Sequence, residues 1–325
     1  MNPLLNHIRV SLRAELEEYH RTLSRIMSSD VALVDRVAKY LVRHRGKGLR
    51  PLLVLISSRL VGEANNNTYL VAALVEILHT ATLVHDDVVD EAEVRRSFPS
   101  INALWKNKIS ILMGDYLLAK SLISATETGS LEIMEILAQT AKRLSKGELF
   151  QIEKSRKLDI SEQEYYRLVA DKTAALISAC CELGCMTVRN NPADRETLAR
   201  YGENIGIAFQ IKDDLLDYEG KENILGKHVG ADLKGKKITL PLIISLNNAP
   251  GPEKNFVLRL LKKGVNREDI RKIISFNEKY GGLKQAYQAA VAYAEKAKKC
   301  IEIYPDNAYK ENALKFVDYV ISRKK

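Results

Sequence analysis

Glycine and proline are scarce in this 325-residue chain, at 17 and 8, while Ala, Leu, Ile, Glu and Lys abound. So few breakers disfavour strand-and-turn architectures and favour long helices. Only four cysteines occur, Cys180, Cys181, Cys185 and Cys300, and none forms a C-x-x-C. That excludes a disulfide scaffold, and no histidine lies close enough to Cys180–Cys185 to suggest a zinc site. Within the small-residue run AALISACCELGCM the thiols read as small buried hydrophobes of a reduced, cytoplasmic protein. No unbroken apolar run reaches the roughly 20 residues of a membrane span. The start, MNPLLNHIRVSLRAELEEYH, is charged and amphipathic, with no secretory core. Aromatics make up 6% and no nucleic-acid recognition motif is present. The formal charge of +9, from 50 basic and 41 acidic residues, therefore does not by itself indicate nucleic-acid binding.

What is present is helical periodicity. Apolar residues recur at spacings of three and four almost throughout, with little strand-like alternation. Asn2-Pro3 predicts a helix start, with the helix running to about Met27. Further helices are expected over 31–45, from about Pro51, and from the NNNT cap at 65–68 to about Asp90. RRSFPS reads as a loop, followed by helices over 101–127, 130–155, 161–190 and 192–218. Residues 219–237 are rich in glycine and lysine and predict irregular structure, and four or five shorter helices complete the chain. No boundary or repeat interrupts residues 1–325, which read as a single all-α domain.

Against that apolar background, two clusters stand out: DDVVD at 86–90 and DDLLD at 213–217. On a helix turning ~100° per residue, positions i, i+1 and i+4 share one arc. Each cluster therefore aims three carboxylates one way, where they repel one another unless a cation sits among them. Oxygen-only ligands suit a hard divalent ion, Mg²⁺ above all. Carboxylates holding Mg²⁺ can in turn bind a diphosphate, with basic side chains taking up the remaining charge. Lys47 and Arg50, Arg95 and Arg96, Lys172, Lys227 and Lys237 are candidates for that task.

GKGLRP, LHTATLVHDDVVDEAEVRR, DKTAAL, FQIKDDLLDYEG and GADLKGKKITLP, in this order and spacing, resemble the trans-isoprenyl diphosphate synthases, or polyprenyl synthetases. The resemblance spans about residue 40 to the closing DYVISRKK. It implies an isoprenoid synthase-type helical bundle around a deep central cavity, with the aspartate motifs facing each other across its mouth. It implies Asp86 and Asp90 as ligands of two Mg²⁺ and Asp213 of a third, with Asp87, Asp214 and Asp217 holding ligands and waters around them. An allylic diphosphate would be gripped by the ions with Arg95, Lys172, Thr173, Gln210, Lys227 and Lys237. Isopentenyl diphosphate would be held by Lys47, Arg50, His79 and Arg96. The implied catalytic set is Asp86, Asp90, Asp213, Lys172 and Lys227, acting by ionisation, condensation and elimination. A homodimer, with peripheral membrane contact for product release, is also implied.

The chain departs from the usual G-G-K-x-x-R-P, G-K-T-A, G-K-P and D-L-x-E-G-K patterns. Arg45 replaces the first glycine, Asp171 precedes Lys172-Thr173, His228 follows Lys227, and Lys236-Lys237 ends the last pattern. Ala81 and Thr82, five and four residues before Asp86, are small where members that stop early carry bulky aromatics. An open shaft and a long, octaprenyl-type product primed by farnesyl or geranylgeranyl diphosphate are expected, the alternative being a short-chain (C15–C20) synthase. Glu76-x-x-His79 and Glu17-x-x-His20 also match the E-x-x-H of di-iron carboxylate bundles, but that reading leaves both aspartate clusters unexplained. A class I terpene cyclase would share one DDxxD, not two.

Overall fold

The computed structural model describes residues 2–95, 98–219 and 230–323, so Arg96 and Lys227 lie outside the described residues. The chain divides into two compact units, each assembled from three stretches: Met1–Lys142, Leu176–Gly202 and Cys300–Phe316 in the first; Arg143–Ala175, Glu203–Lys299 and Val317–Lys325 in the second.

The first unit opens with α1 (Pro3–Ser11), capped by the Asn2 side chain with proline in the first turn, where a missing N–H costs nothing. The expected helix to Met27 is interrupted at Leu12, whose φ of −111° and ψ of 28° leave the helical region, before α2 (Arg13–Met27) resumes. Leu5, Ile8 and Leu12, and Tyr19, Leu23 and Ile26 beyond the interruption, are all buried. Next come α3 (Ala32–Arg43) and α4 (Leu49–Val61).

The central element is α5 (Asn66–Val89), which begins at a capping box between Asn65 and Thr68 and ends at Asp90. Thr68, all nine residues from Leu70 to Leu78, and Ala81 are buried, the carboxylate-bearing Glu76 among them. This helix packs chiefly on α6 (Ile101–Thr126), and also on α2 and α4. Both α5 and α6 are long and apolar enough to cross a membrane, contrary to the expectation from the sequence. The apolar window of α5 is 67% buried, as in the core helix of a globular unit. Between α5 and α6, the expected loop contains a two-residue antiparallel pair, β1 (Val94–Arg95) with β2 (Phe98–Pro99).

Helix α7 (Leu131–Lys157) passes into the second unit at Arg143. The expected helix 161–190 is α8 (Glu162–Val169), a π turn (Ala170–Ala174) and α9 (Ala175–Met186). Then come α10 (Pro192–Glu219), the four-residue α11 (Ala231–Lys234), α12 (Leu240–Asn248), α13 (Gly251–Lys263), α14 (Arg267–Lys279), α15 (Gly282–Cys300) and α16 (Ala308–Ser322). The core of the second unit joins Tyr165, Ile211, Leu215 and Tyr218 with Leu240, Leu261, Ile273 and Ala290. All four cysteines are free thiols, and Cys180, Cys181 and Cys185 are buried.

Candidate active site

In the first unit, DDVVD forms the C-terminal end of α5. Asp86 is half-buried, Asp87 buried and Asp90 exposed. The Asp87 carboxylate accepts a 2.5 Å bond from Arg95 Nε on β1. Arg95 thus neutralises the one carboxylate of the motif that water cannot reach, while Nε is only one of its five N–H donors. His79 and Thr82 precede Asp86 by seven and four residues and lie on its helix face. The Thr82 hydroxyl donates to the His79 carbonyl at 2.8 Å, and Ala81 is buried. The G-K-G segment joins α3 to α4; Lys47 is exposed, its carbonyl accepts a bond from Arg9 at 2.5 Å, and Arg50 lies in the first turn of α4.

Tyr40 donates through its hydroxyl to the Pro99 carbonyl at 2.8 Å, and the His44 ring lies against Phe98 at a 51° tilt with centroids 4.2 Å apart. Helix α3 thereby holds the hairpin that carries Arg95.

In the second unit, DDLLD lies near the end of α10. Asp213 is half-buried and paired with Arg323. Asp214 is buried and accepts bonds from the Tyr165 phenol at 2.6 Å and Gln210 Nε2 at 2.8 Å. Burial, then Asp232, raises the Asp214 carboxyl well above the usual range, while those two donors oppose the rise. Asp217 accepts the backbone N–H groups of Ala231 and Asp232 at 3.1 and 3.0 Å, capping α11. Asp232 is pushed up to about 6, first by burial and then by Asp217, with Lys237 and Lys172 acting in the opposite sense.

The π turn carries Lys172 and Thr173. Lys172 Nζ meets Glu148 at 2.5 Å and Gln151 at 3.0 Å, both on α7. The Thr173 hydroxyl donates to Gln210 Oε1 at 2.7 Å. Two glycines make this packing achievable. A Cβ at Gly147 would stand 2.9 Å from the Lys172 nitrogen, and one at Gly206 would stand 2.5 Å from Ala174 Cα. Lys172, Thr173, Gln210, Asp214, Asp232 and Lys237 line a cavity of about 210 Å³. Lys237 faces this cavity, whereas Lys236 donates to the Lys262 carbonyl at 3.3 Å.

Asp87, Asp214 and Asp217 are held by the partners just named, and of the three assigned to metal from the sequence, Asp86, Asp90 and Asp213, the last is paired with Arg323. Among the described residues no three Asp, Glu, His or Cys groups converge to hold a metal ion on their own. The donors fit a hard cation that completes its coordination with substrate oxygens, and do not fit an all-protein cage. Among the described residues the E-x-x-H residues Glu17, His20, Glu76 and His79 likewise form no such group.

Arg323, Glu148, Gln151, Tyr165 and Asp232 were not singled out from the sequence. Arg323 lies within the closing segment DYVISRKK, and Glu148 and Gln151 sit at helical spacing on α7, but Tyr165 carries no local signal.

The polyprenyl synthetase family model matches residues 31–276. The chain is 32% identical to the octaprenyl diphosphate synthase of Escherichia coli over 297 residues, covering 91% of this chain and 92% of that one. It is also 32% identical to a short chain isoprenyl diphosphate synthase of Methanothermobacter thermautotrophicus, covering 89% and 90%. The crystal structure of a polyprenyl synthase from Caulobacter crescentus CB15, complexed with calcium and isoprenyl diphosphate, is similar at a TM-score of 0.92. Its identity is 34%, over 99% of this chain and 98% of that one. The all-α fold is thus that of the trans-prenyltransferases.

Proposed function

The chain belongs to the polyprenyl synthetase family and is a prenyltransferase, and we propose that it condenses isopentenyl diphosphate with farnesyl or geranylgeranyl diphosphate to a long all-trans polyprenyl diphosphate. The observation that carries this reading is the cavity of about 210 Å³ into which Lys172, Thr173, Gln210 and Lys237 converge beside the second aspartate motif. Asp87 and Asp214 are buried on Arg95 and on Tyr165 with Gln210, and Asp217 caps a helix. Asp86, Asp90 and Asp213 are the residues that would hold three Mg²⁺. Bound there, the ions supply positive charge to the diphosphate as it departs.

The chain's own residues do the rest. Lys172, Thr173, Gln210 and Lys237 bind and orient the allylic diphosphate beside the cavity they line, with Arg95 and Lys227 adding charge. Stabilising the leaving group favours ionisation of the allylic C–O bond. Lys47, Arg50, His79 and Arg96 hold isopentenyl diphosphate so that its double bond attacks the allylic cation. The departing diphosphate takes the final proton, so no protein nucleophile is required. Residues 1–325 work as one catalytic domain in a cytoplasmic homodimer, with no nucleic-acid partner and a peripheral membrane contact for product release.

The octaprenyl-type length is supported by small Ala81 and Thr82 and by the E. coli relative. A short-chain product is the second reading, favoured by the equally similar M. thermautotrophicus relative. Incubating the chain with Mg²⁺, labelled isopentenyl diphosphate and each primer separates them. Extracted label in products longer than C20 supports the first reading, label confined to C15–C20 supports the second, and no incorporation rejects both.

A further inference from the structure

The π turn at Ala170–Ala174 is held from outside. A π turn inserts one residue into a helix and is rarely stable on its own. Here the Ala175 N–H reaches back five residues to the Ala170 carbonyl. That carbonyl also accepts a bond from Arg143 Nη2 at 3.1 Å, and Arg143 Nε donates to Asp171 Oδ1 at 2.8 Å. One guanidinium thus grips the backbone and the side chain of consecutive residues at the start of the turn. The Asp171 side chain is only 17% exposed. On the same helix, four, five and eight residues beyond Arg143, Gly147 admits the Lys172 backbone and Glu148 and Gln151 hold its ammonium. Asp171 is the departure from G-K-T-A that the proposed reaction leaves without a task.

We propose that Arg143 is a positioning residue: with Asp171 it clamps the π turn, and so fixes where Lys172 and Thr173 meet the allylic diphosphate. This rests on the reading of Lys172 and Thr173 as diphosphate ligands. One extra residue rotates everything beyond it by ~100° relative to an uninterrupted α-helix. If the turn reverts or wanders, Lys172 leaves the face that addresses the cavity. Arg143 reaches the substrate only through the turn, so its loss weakens allylic diphosphate binding and spares isopentenyl diphosphate.

The test compares wild type with Arg143→Met, Asp171→Ala, the double variant and Arg143→Lys, by steady-state kinetics with each substrate varied and by amide hydrogen exchange. Each single variant is expected to raise KM for the allylic diphosphate about fivefold, the scale of one partly exposed charged contact. KM for isopentenyl diphosphate should stay within about twofold, and exchange at the amides of residues 172–175 should quicken about tenfold as the turn opens more often. The double variant should be no worse than either single one, because the clamp is already broken, and Arg143→Lys should recover part of the effect. Unchanged exchange, additive effects, or both KM values rising together with a falling melting temperature would overturn the clamp. If the wild type turns over neither primer, the reaction reading fails, and the exchange comparison alone still decides the clamp.

Discussion

Arg95 places its Nε 2.5 Å from Oδ1 of Asp87, a carboxylate whose side chain is only 4% exposed. Removing one partner of such a pair leaves a buried charge uncompensated, which costs more than the pair contributes. Arg95 is itself one-third exposed, so the cost is discounted. Arg95→Ala is expected to lower unfolding free energy by about 2–4 kcal/mol. Adding Asp87→Asn should restore most of that. Urea denaturation of the three proteins measures both effects; a double variant as unstable as the single one would refute the pairing argument.

Asp232 gives the second unit a pH dependence of definite sign. Burial and Asp217 raise its carboxyl from an ordinary 3.8 to about 6. A group raised on folding stabilises the fold fully below its unfolded value and loses that contribution as pH rises through the folded value. The loss therefore falls between about pH 4 and pH 6, and a difference of that size corresponds to at most on the order of 3 kcal/mol. Asp232→Asn cannot ionise. In EDTA its melting temperature relative to wild type should be higher at pH 7 than at pH 4, and a difference independent of pH would contradict the assignment.

Much of the helical order was legible because local signals agreed with packing. The Asn65–Thr68 capping box and the apolar run after it mark α5 from within, and the structure ends that helix at Val89. The π turn was not legible. ADKTA contains neither glycine nor proline, and the contacts that hold it come from Arg143, Gly147 and Gly206, more than twenty residues away in sequence. The same holds for the aspartates. Spacing put three of them on each arc, but which one is buried depends on Arg95, Tyr165 and Gln210, and those pairings are tertiary. Likewise Leu12 falls at a regular apolar position, and no glycine or proline beside it marks the break in the helix there.

Gly206 tests how tightly the π turn is enclosed. A Cβ there would stand 2.5 Å from Ala174 Cα and 2.7 Å from its Cβ, atoms that no side-chain rotation can move. Helix propensity alone would make Gly206→Ala stabilising by about 1 kcal/mol. The clash should win, giving a net loss of about 1–3 kcal/mol, since overpacking displaces backbone. Calorimetry should show a melting temperature several degrees below wild type; an equal or higher value would mean that α10 and the π turn can move apart at little cost.

Product length can be tested on the helix that carries Asp86. At ~100° per residue, Thr82 lies about 40° from Asp86 and Ala81 about 140°. Thr82 is half-buried, whereas Ala81 is buried at 2% exposure. A phenylalanine at either position adds a ring where the growing chain is proposed to pass. Both Ala81→Phe and Thr82→Phe are expected to shift extracted product toward the C15–C20 class. Ala81→Phe should also lose about 1–3 kcal/mol of stability, because its ring must enter packed surroundings, and Thr82→Phe should lose less. Chromatography of labelled products, paired with thermal melts, reads both quantities. An unchanged product length in both variants would place the wall of the shaft on another helix.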